Sequence, residues 1–241
     1  MKIAIVIPTY NEAKNVKLLI KEIAALNLTD WRIFFIDDNS PDKTAQIIQS
    51  FVDKFPITLI QRPQKLGLGS AYVVGFKKAL QQSAEYIFEM DADLSHDPKD
   101  IPQILQACFN GADLVIGSRK ILGGKIIGWN WYRHFMSNGA MFFSRFILGL
   151  RTRDVTSGFR CYKSRVLENI NLDKISAGGY AFQEEMLYLA EKNNFKITEI
   201  PVTFSDRKLG KSKLSKKDIW EFFITIFRLK FDKTLNNKVN L

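Results

Sequence analysis

Five short apolar runs, at residues 3–7, 32–36, 58–61, 86–90 and 114–117, are separated by four segments of helical periodicity, at 16–25, 44–53, 70–82 and 101–109. The runs are rich in Ile, Val and Phe and have strand length; the intervening segments span about three turns each. Repeated strand–helix units of this size predict an α/β fold, a mostly parallel sheet with helices on both faces. Such sheets bind ligands at the carboxyl ends of their strands. The residues that follow each run are therefore where chemistry is to be sought.

The fourth run leads into Asp91 and Asp93, separated by one residue. If the strand continues through them, its alternation aims both carboxylates at one hard cation, and a cation held this way suits a diphosphate. An isolated pair of this kind is more often a polar strand end with capping aspartates. The first run ends in Pro8-Thr9-Tyr10-Asn11-Glu12, where Asn11 or Thr9 is placed to cap the next helix. The second ends in Asp37-Asp38-Asn39-Ser40-Pro41-Asp42. Capping accounts for Asp42 but not for two adjacent carboxylates at a strand end. Lys65-Leu66-Gly67-Leu68-Gly69-Ser70 lacks the spacing of a phosphate-binding loop, so its glycines are read as a tight strand-to-helix turn. Arg119 closes the fifth run at the ligand edge, as a phosphate contact would. His96 and His134 are read as packing or capping residues.

Beyond Arg119 the pattern changes. A glycine-containing loop at 122–125 precedes an aromatic stretch and a long apolar segment, 135–150, which Arg145 interrupts. Strand-like pieces follow near Val155 and at 160–162, then a helix near 184–192, a strand at 197–204, a basic loop at 205–213 and a terminal amphipathic helix at 216–231. No linker separates the halves, so residues 1–241 are expected to form one domain, with a nucleotide lobe at 1–119 and an acceptor lobe at 120–241. Glu184 and Glu185 fit either a solvated helix start or an orienting role.

The net charge of +10 points to an anionic partner. It is uneven: the last 35 residues hold ten Lys/Arg against three Asp/Glu. Cys108 and Cys161 make no disulfide framework or metal spacing and read as buried free thiols of a reducing compartment. No signal peptide and no membrane span is expected. Aromatic residues flanked by basic ones, at 129–146 and in the terminal helix, suit a helix lying in a membrane interface.

V-I-P-T-Y-N-E (6–12), I-D-D-N-S-P-D (36–42), K-L-G-L-G-S-A (65–71), M-D-A-D-L-S-H-D-P (90–98), G-S-R (117–119), T-S-G-F-R-C-Y (156–162), G-Y-A-F-Q-E-E-M (179–186) and D-R-K-L-G-K-S-K-L (206–214) together resemble glycosyltransferase family 2. Within it they resemble the dolichol-phosphate (polyprenol-phosphate) mannose synthases, over residues 3–228. The resemblance implies a GT-A fold, with a Rossmann-like sheet. It implies inverting transfer of mannose from GDP-mannose to a polyprenyl phosphate at the cytoplasmic face of a membrane. Site residues follow from the same likeness. Pro8, Tyr10, Glu12, Ile36, Asp38, Met90 and Ala92 would line the donor. Asp91 and Asp93 would hold Mg²⁺ or Mn²⁺, with Ser95 where some relatives have a glutamine ligand. Arg119, Arg207 and Lys213 would meet phosphates, and Arg119, Arg133 and Ser137 the acceptor's phosphate. Some relatives carry added spans or a membrane-bound partner subunit.

The nucleophile of such a reaction is a phosphate monoester, dianionic near neutral pH because its second pKa is about 6, so no general base is required. Glu185 is at most an orienting residue. A related donor such as UDP-glucose is the alternative. A non-catalytic basic module that binds membranes is the rival of another class. Nucleic acid is disfavoured because the paired carboxylates repel its phosphates.

Overall fold

A computed structural model of the chain describes residues 1–206 and 216–231. The strands are β1 (Ile3–Thr9), β2 (Trp31–Asp37), β3 (Ile57–Gln61), β4 (Tyr86–Glu89), β5 (Leu114–Ser118), β6 (Lys125–Ile127), β7 (Arg160–Lys163), β8 (Ile197–Pro201) and β9 (Thr203–Ser205). The helices are α1 (Val16–Ala24), α2 (Thr44–Gln49), α3 (Leu68–Gln81), α4 (Ile101–Phe109), α5 (Trp131–Leu148), α6 (Ser164–Glu168), α7 (Gly179–Lys192) and α8 (Lys216–Phe231).

Seven strands form one sheet in the order β3-β2-β1-β4-β7-β5-β8. β7 alone runs antiparallel, between β4 and β5. The chain moves outward from β1 to β2 and β3, then returns to the other side of β1 for β4. That reversal makes a crevice outside the carboxyl ends of β1 and β4, the place where open α/β sheets take ligands.

Alternation along the strands divides two cores. Ile3, Ile5, Ile7, Ile33, Phe35 and Phe88 pack with α1 and α4 on one face. Ala4, Val6, Phe34, Ile36 and Ile87 pack with α3, α7 and parts of α5 and α8 on the other. Strands buried on both faces need apolar side chains at every position, which is why the runs look continuous in sequence. α3 lies close on β1: a Cβ placed on Gly75 would sit 2.2 Å from Val6 Cγ1.

The elements of the second half depart most from the sequence reading. The expected strand at 197–204 breaks at Val202, because pairing with β5 ends at Ser118 and Pro201. β9 then pairs with β6 in a small separate sheet. Val155 lies in a turn, and α2 stops at Gln49 where an extension to 53 was expected. Among the described residues no helix is long and apolar enough to cross a membrane. Both cysteines are free and buried.

α5 is capped by Asn130, whose side chain accepts from Arg133 N (2.9 Å), and is followed by Gly149 in the left-handed region. It buries only Met141, Ser144 and Leu148, while Trp131, Phe135, Phe142 and Phe146 stand exposed. α8 buries Phe222, Thr225, Ile226 and Leu229 against α7 and α5 and exposes Trp220, Ile224 and Phe231. The terminal helix is thus both core and apolar surface.

Glu184 and Glu185 are buried, which overturns the solvated reading. The Ser144 hydroxyl donates to Glu184 Oε1 (2.5 Å), joining α5 to α7. Burial pushes the Glu184 carboxyl up to about 8, against the pull of Ser144 and Arg160. The folded protein therefore keeps a proton that the unfolded chain releases in the ordinary glutamate range. Stability contributed by this proton is lost as pH rises from that range through about 8.

Two measurements check this packing. Gly75→Ala is expected to cost about 1–3 kcal/mol in urea unfolding, and an unchanged midpoint would refute the close approach. Between pH 6 and pH 9, wild-type Tm should fall further than that of Glu184→Gln; parallel curves would refute the buried proton.

Candidate active site

The first two strand ends are sewn together by side chains. Thr9 Oγ1 donates to Asp37 Oδ1 (2.8 Å), which also accepts from Ser40 Oγ (2.6 Å). Asn11 N donates to Ser40 Oγ (3.1 Å), Glu12 N to Thr44 Oγ1 (2.9 Å) and Ala13 N to Asp42 Oδ2 (3.0 Å). Asp42 also accepts from Thr44 N, but as a turn one residue before Lys43, which precedes α2 and makes no side-chain cap bond. Thr9 and Asn11 do not cap α1, whose preceding residue Asn15 makes no side-chain cap bond.

Asp38 has a separate task. Its carboxylate pairs with the buried Arg62 and accepts from Leu66 N and Gly67 N (3.1 Å each). Arg62 in turn donates to Ser70 Oγ (2.7 Å) and Gly67 O (2.9 Å). The glycine-containing turn before α3 is held as a fixed wall beside the β2 end. Lys65 reaches back over the Tyr10 ring, 4.2 Å from its centroid. The two adjacent carboxylates therefore serve different neighbours. Arg62 was missed in the sequence, although it follows a parallel strand just as Arg119 does.

β4 ends at Glu89, so Asp91 lies just beyond it and Asp93 in the bend that follows, and the pleat does not govern their directions. Leu94 takes a left-handed φ of 62°, and Ser95 N turns back to donate to Asp93 Oδ1 (3.0 Å). Ser205 N donates to Ser95 O (3.1 Å), so β9 clamps the bend from outside. Tyr72 Oη donates to Asp91 Oδ1 (3.3 Å), and Asp91 N donates to His96 Nδ1 (3.3 Å). Burial and then the nearby Asp91 charge raise the Tyr72 phenol well above its usual range, so it stays a donor. His96 stacks on Phe159 (5.1 Å), and burial lowers its pKa against the pull of Asp91 and Asp93. It is packed, as expected, and it also anchors the Asp91 backbone. A Cβ on Gly158 would lie 3.4 Å from Gln183 Nε2, 3.7 Å from His96 Cε1 and 3.8 Å from Asp91 Oδ2. The T-S-G-F and F-Q-E-E segments thus meet at Asp91.

Among the described residues no group of three or more His, Cys, Asp or Glu side chains is placed to hold a metal. Mg²⁺ in phosphate sites takes one or two carboxylates and fills its shell with water and phosphate oxygens. Asp91 and Asp93 fit that requirement. Ser95 Oγ is buried with no hydrogen-bond partner among the described residues, a spare oxygen in the same bend.

Arg119 lies just past β5. Its Nε and Nη2 donate to Asp154 Oδ2 (2.8 Å) and Oδ1 (2.6 Å), and Nη2 also donates to Thr156 Oγ1 (2.9 Å). Burial would raise the Asp154 carboxyl, but the Arg119 guanidinium holds it below its ordinary range. Arg133 stacks on Trp129 at 4.2 Å and donates to Asp206 Oδ2 (2.8 Å). Ser137 lies one turn further along α5 and is half-buried. Pro8 and Ile36 are register partners at adjacent strand ends, and Met90 and Ala92 are buried around Asp91. Arg207 and Lys213 lie outside the described residues.

The Glycosyl transferase family 2 profile matches residues 4–170. The chain belongs to glycosyltransferase family 2. It is 39% identical over 219 residues to the polyprenol monophosphomannose synthase of Mycolicibacterium smegmatis, covering 90% of this chain and 82% of that protein. To the undecaprenyl-phosphate mannosyltransferase of Micrococcus luteus it is 36% identical over 230 residues, covering 95% and 93%. Among solved structures, glucosyl-3-phosphoglycerate synthase from Mycobacterium tuberculosis, with Mn²⁺, UDP-glucose and glycerol 3-phosphate, aligns with TM-score 0.66 at 16% identity, over 96% of this chain and 79% of that one. This transferase shares the GT-A arrangement with that enzyme.

Asp38→Ala strands a buried guanidinium and two amides, and is expected to cost about 3–5 kcal/mol. Hydrogen exchange should quicken at Leu66 and Gly67; retained protection there would refute the wall.

Proposed function

We propose that this transferase moves mannose from GDP-mannose to a polyprenyl phosphate at the cytoplasmic surface of a membrane, releasing GDP. The observation that carries the reading is identity near 40% to a polyprenol monophosphomannose synthase along nearly the whole chain. The reversal of strand order between β1 and β4, with two aspartates just beyond the β4 end, agrees with it.

Pro8, Tyr10, Glu12 and Ile36 line the nucleoside on the β1 and β2 side, and Asp38 acts there by fixing the turn at Leu66 and Gly67. Met90 and Ala92 set the floor beneath the donor. Asp91 and Asp93 hold Mg²⁺ or Mn²⁺, which when bound stabilises charge on the departing diphosphate; Ser95 offers a further oxygen. Tyr72 and His96 keep Asp91 in place. Arg119, Arg133 and Ser137 receive the acceptor's phosphate, with Arg119 also facing the donor, and Arg207 and Lys213 complete the phosphate contacts.

The acceptor phosphate needs positioning more than proton removal. Glu185 is consistent with that: its Oε2 accepts from Ala177 N (3.0 Å) and its Oε1 from Arg228 Nη2 (2.6 Å). A carboxylate committed to an amide and a guanidinium is a poor general base. It ties α8 to α7. The exposed aromatics of α5 and α8 meet the membrane, with or without a membrane-bound partner subunit.

The test is transfer to polyprenyl phosphate from GDP-mannose and from UDP-glucose, each with Mg²⁺, with Mn²⁺ and with chelator. Mannose transfer that requires the cation, and that falls about 100-fold or more in Asp91→Asn, is expected. Transfer from UDP-glucose alone, or undiminished rates in chelator, would remove the reading.

A further inference from the structure

A pocket of about 240 Å³ opens beside α5, lined by Lys120, Asn138, Met141, Phe142, Arg145 and Arg153. Four of these recur at i, i+3, i+4 and i+7, so one stripe of α5 forms its floor. Three linings are cations and none is a carboxylate. The contrast with the neighbouring arginines is direct: Arg119 is held by Asp154 and Arg133 by Asp206. Lys120 Nζ donates to the neutral Asn138 Oδ1 (2.8 Å), and the carboxylate that bears on it, Asp154, is already paired with Arg119. Arg145 Nε is buried with no hydrogen-bond partner among the described residues. A buried donor left without a partner is costly, and an anionic oxygen entering the pocket would satisfy it.

The rim is apolar. Phe142 and Phe146 are 71% and 75% exposed and stack with centroids 6.3 Å apart. A cationic pocket beside an exposed aromatic pair suits a phosphate attached to acyl chains: the cations meet the headgroup and the aromatic face meets the apolar chains.

We propose that this pocket binds the phosphate of an anionic phospholipid headgroup and so seats the aromatic face of α5 on the bilayer. The site is distinct from the acceptor-phosphate residues Arg119, Arg133 and Ser137. It rests on the membrane-docking part of the functional reading and not on the transfer reaction.

The full chain is sedimented with vesicles of phosphatidylcholine alone or mixed with phosphatidylglycerol, at fixed ionic strength and without polyprenyl phosphate. Wild-type protein should gain binding from phosphatidylglycerol, and the double variant Arg145→Gln, Arg153→Gln should lose about 30-fold of that gain. Lys17→Gln with Lys21→Gln, on α1 across the sheet, should lose less than about 2-fold. Because Arg145 is partly buried, Arg153→Gln and Lys120→Gln are measured singly, with about 5-fold losses expected. Equal losses in the α1 control, or an unchanged phosphatidylglycerol gain in the pocket variants, would overturn the pocket and leave docking intact. Wild-type protein that binds neither vesicle would sink docking itself and the pocket with it. Inorganic phosphate that fills the pocket without displacing vesicles would make it a soluble-anion site, and overturn the proposal. So would loss of transfer to a detergent-solubilised acceptor with vesicle binding unchanged, which would assign the pocket to the acceptor.

Discussion

The guanidinium of Arg160, fully buried at the start of β7, is the contact around which the second half of the molecule is arranged. Burying a cation is costly unless its donors are satisfied. Its Nε, Nη1 and Nη2 donate to the carbonyls of Ser157, Gln183 and Val155 at 2.8, 2.8 and 2.9 Å. Those carbonyls belong to the loop before β7 and to α7, so one side chain draws both segments of chain onto the sheet. Gly158 and Gln183 arrive beside Asp91 as a result.

The same buried layer reaches β4. Glu89 is fully buried and accepts from Tyr162 Oη (3.0 Å) across the antiparallel pair. Burial lifts the Glu89 carboxyl to about 7, against the opposing charge of Arg160. The bend that carries Asp91 and Asp93 follows directly from this strand. Its geometry therefore depends on a polar network underneath it, on His96 and Tyr72 beside it, and on β9 clamping it from outside.

Arginine–carboxylate pairing is the second organising theme. Arg62 with Asp38, Arg119 with Asp154 and Arg133 with Asp206 each fix a loop at the carboxyl edge of the sheet. Pairing orients the guanidinium and also reduces the net charge an incoming phosphate meets. A cation at Asp91 and Asp93 would change that balance in favour of a diphosphate. The cations whose pocket holds no carboxylate, Lys120, Arg145 and Arg153, gather beside α5, near its exposed aromatic face.

The sequence alone determined the parallel half of the sheet, its helices, the terminal helix and the placement of Asp38, Asp91 and Arg119 at the ligand edge. These follow from local periodicity and from the rule that a strand's end is where its next polar residues fall. It did not show that β7 slips antiparallel between β4 and β5, since a four-residue strand carries no mark of its partners. Nor did it show that β8 breaks at Val202, that Glu184 and Glu185 are buried, or that Asp154 and Asp206 claim Arg119 and Arg133. Those outcomes are contacts between residues dozens of positions apart. Only tertiary packing decided them, because the cost of burying a charge depends on which groups the folded chain brings to meet it.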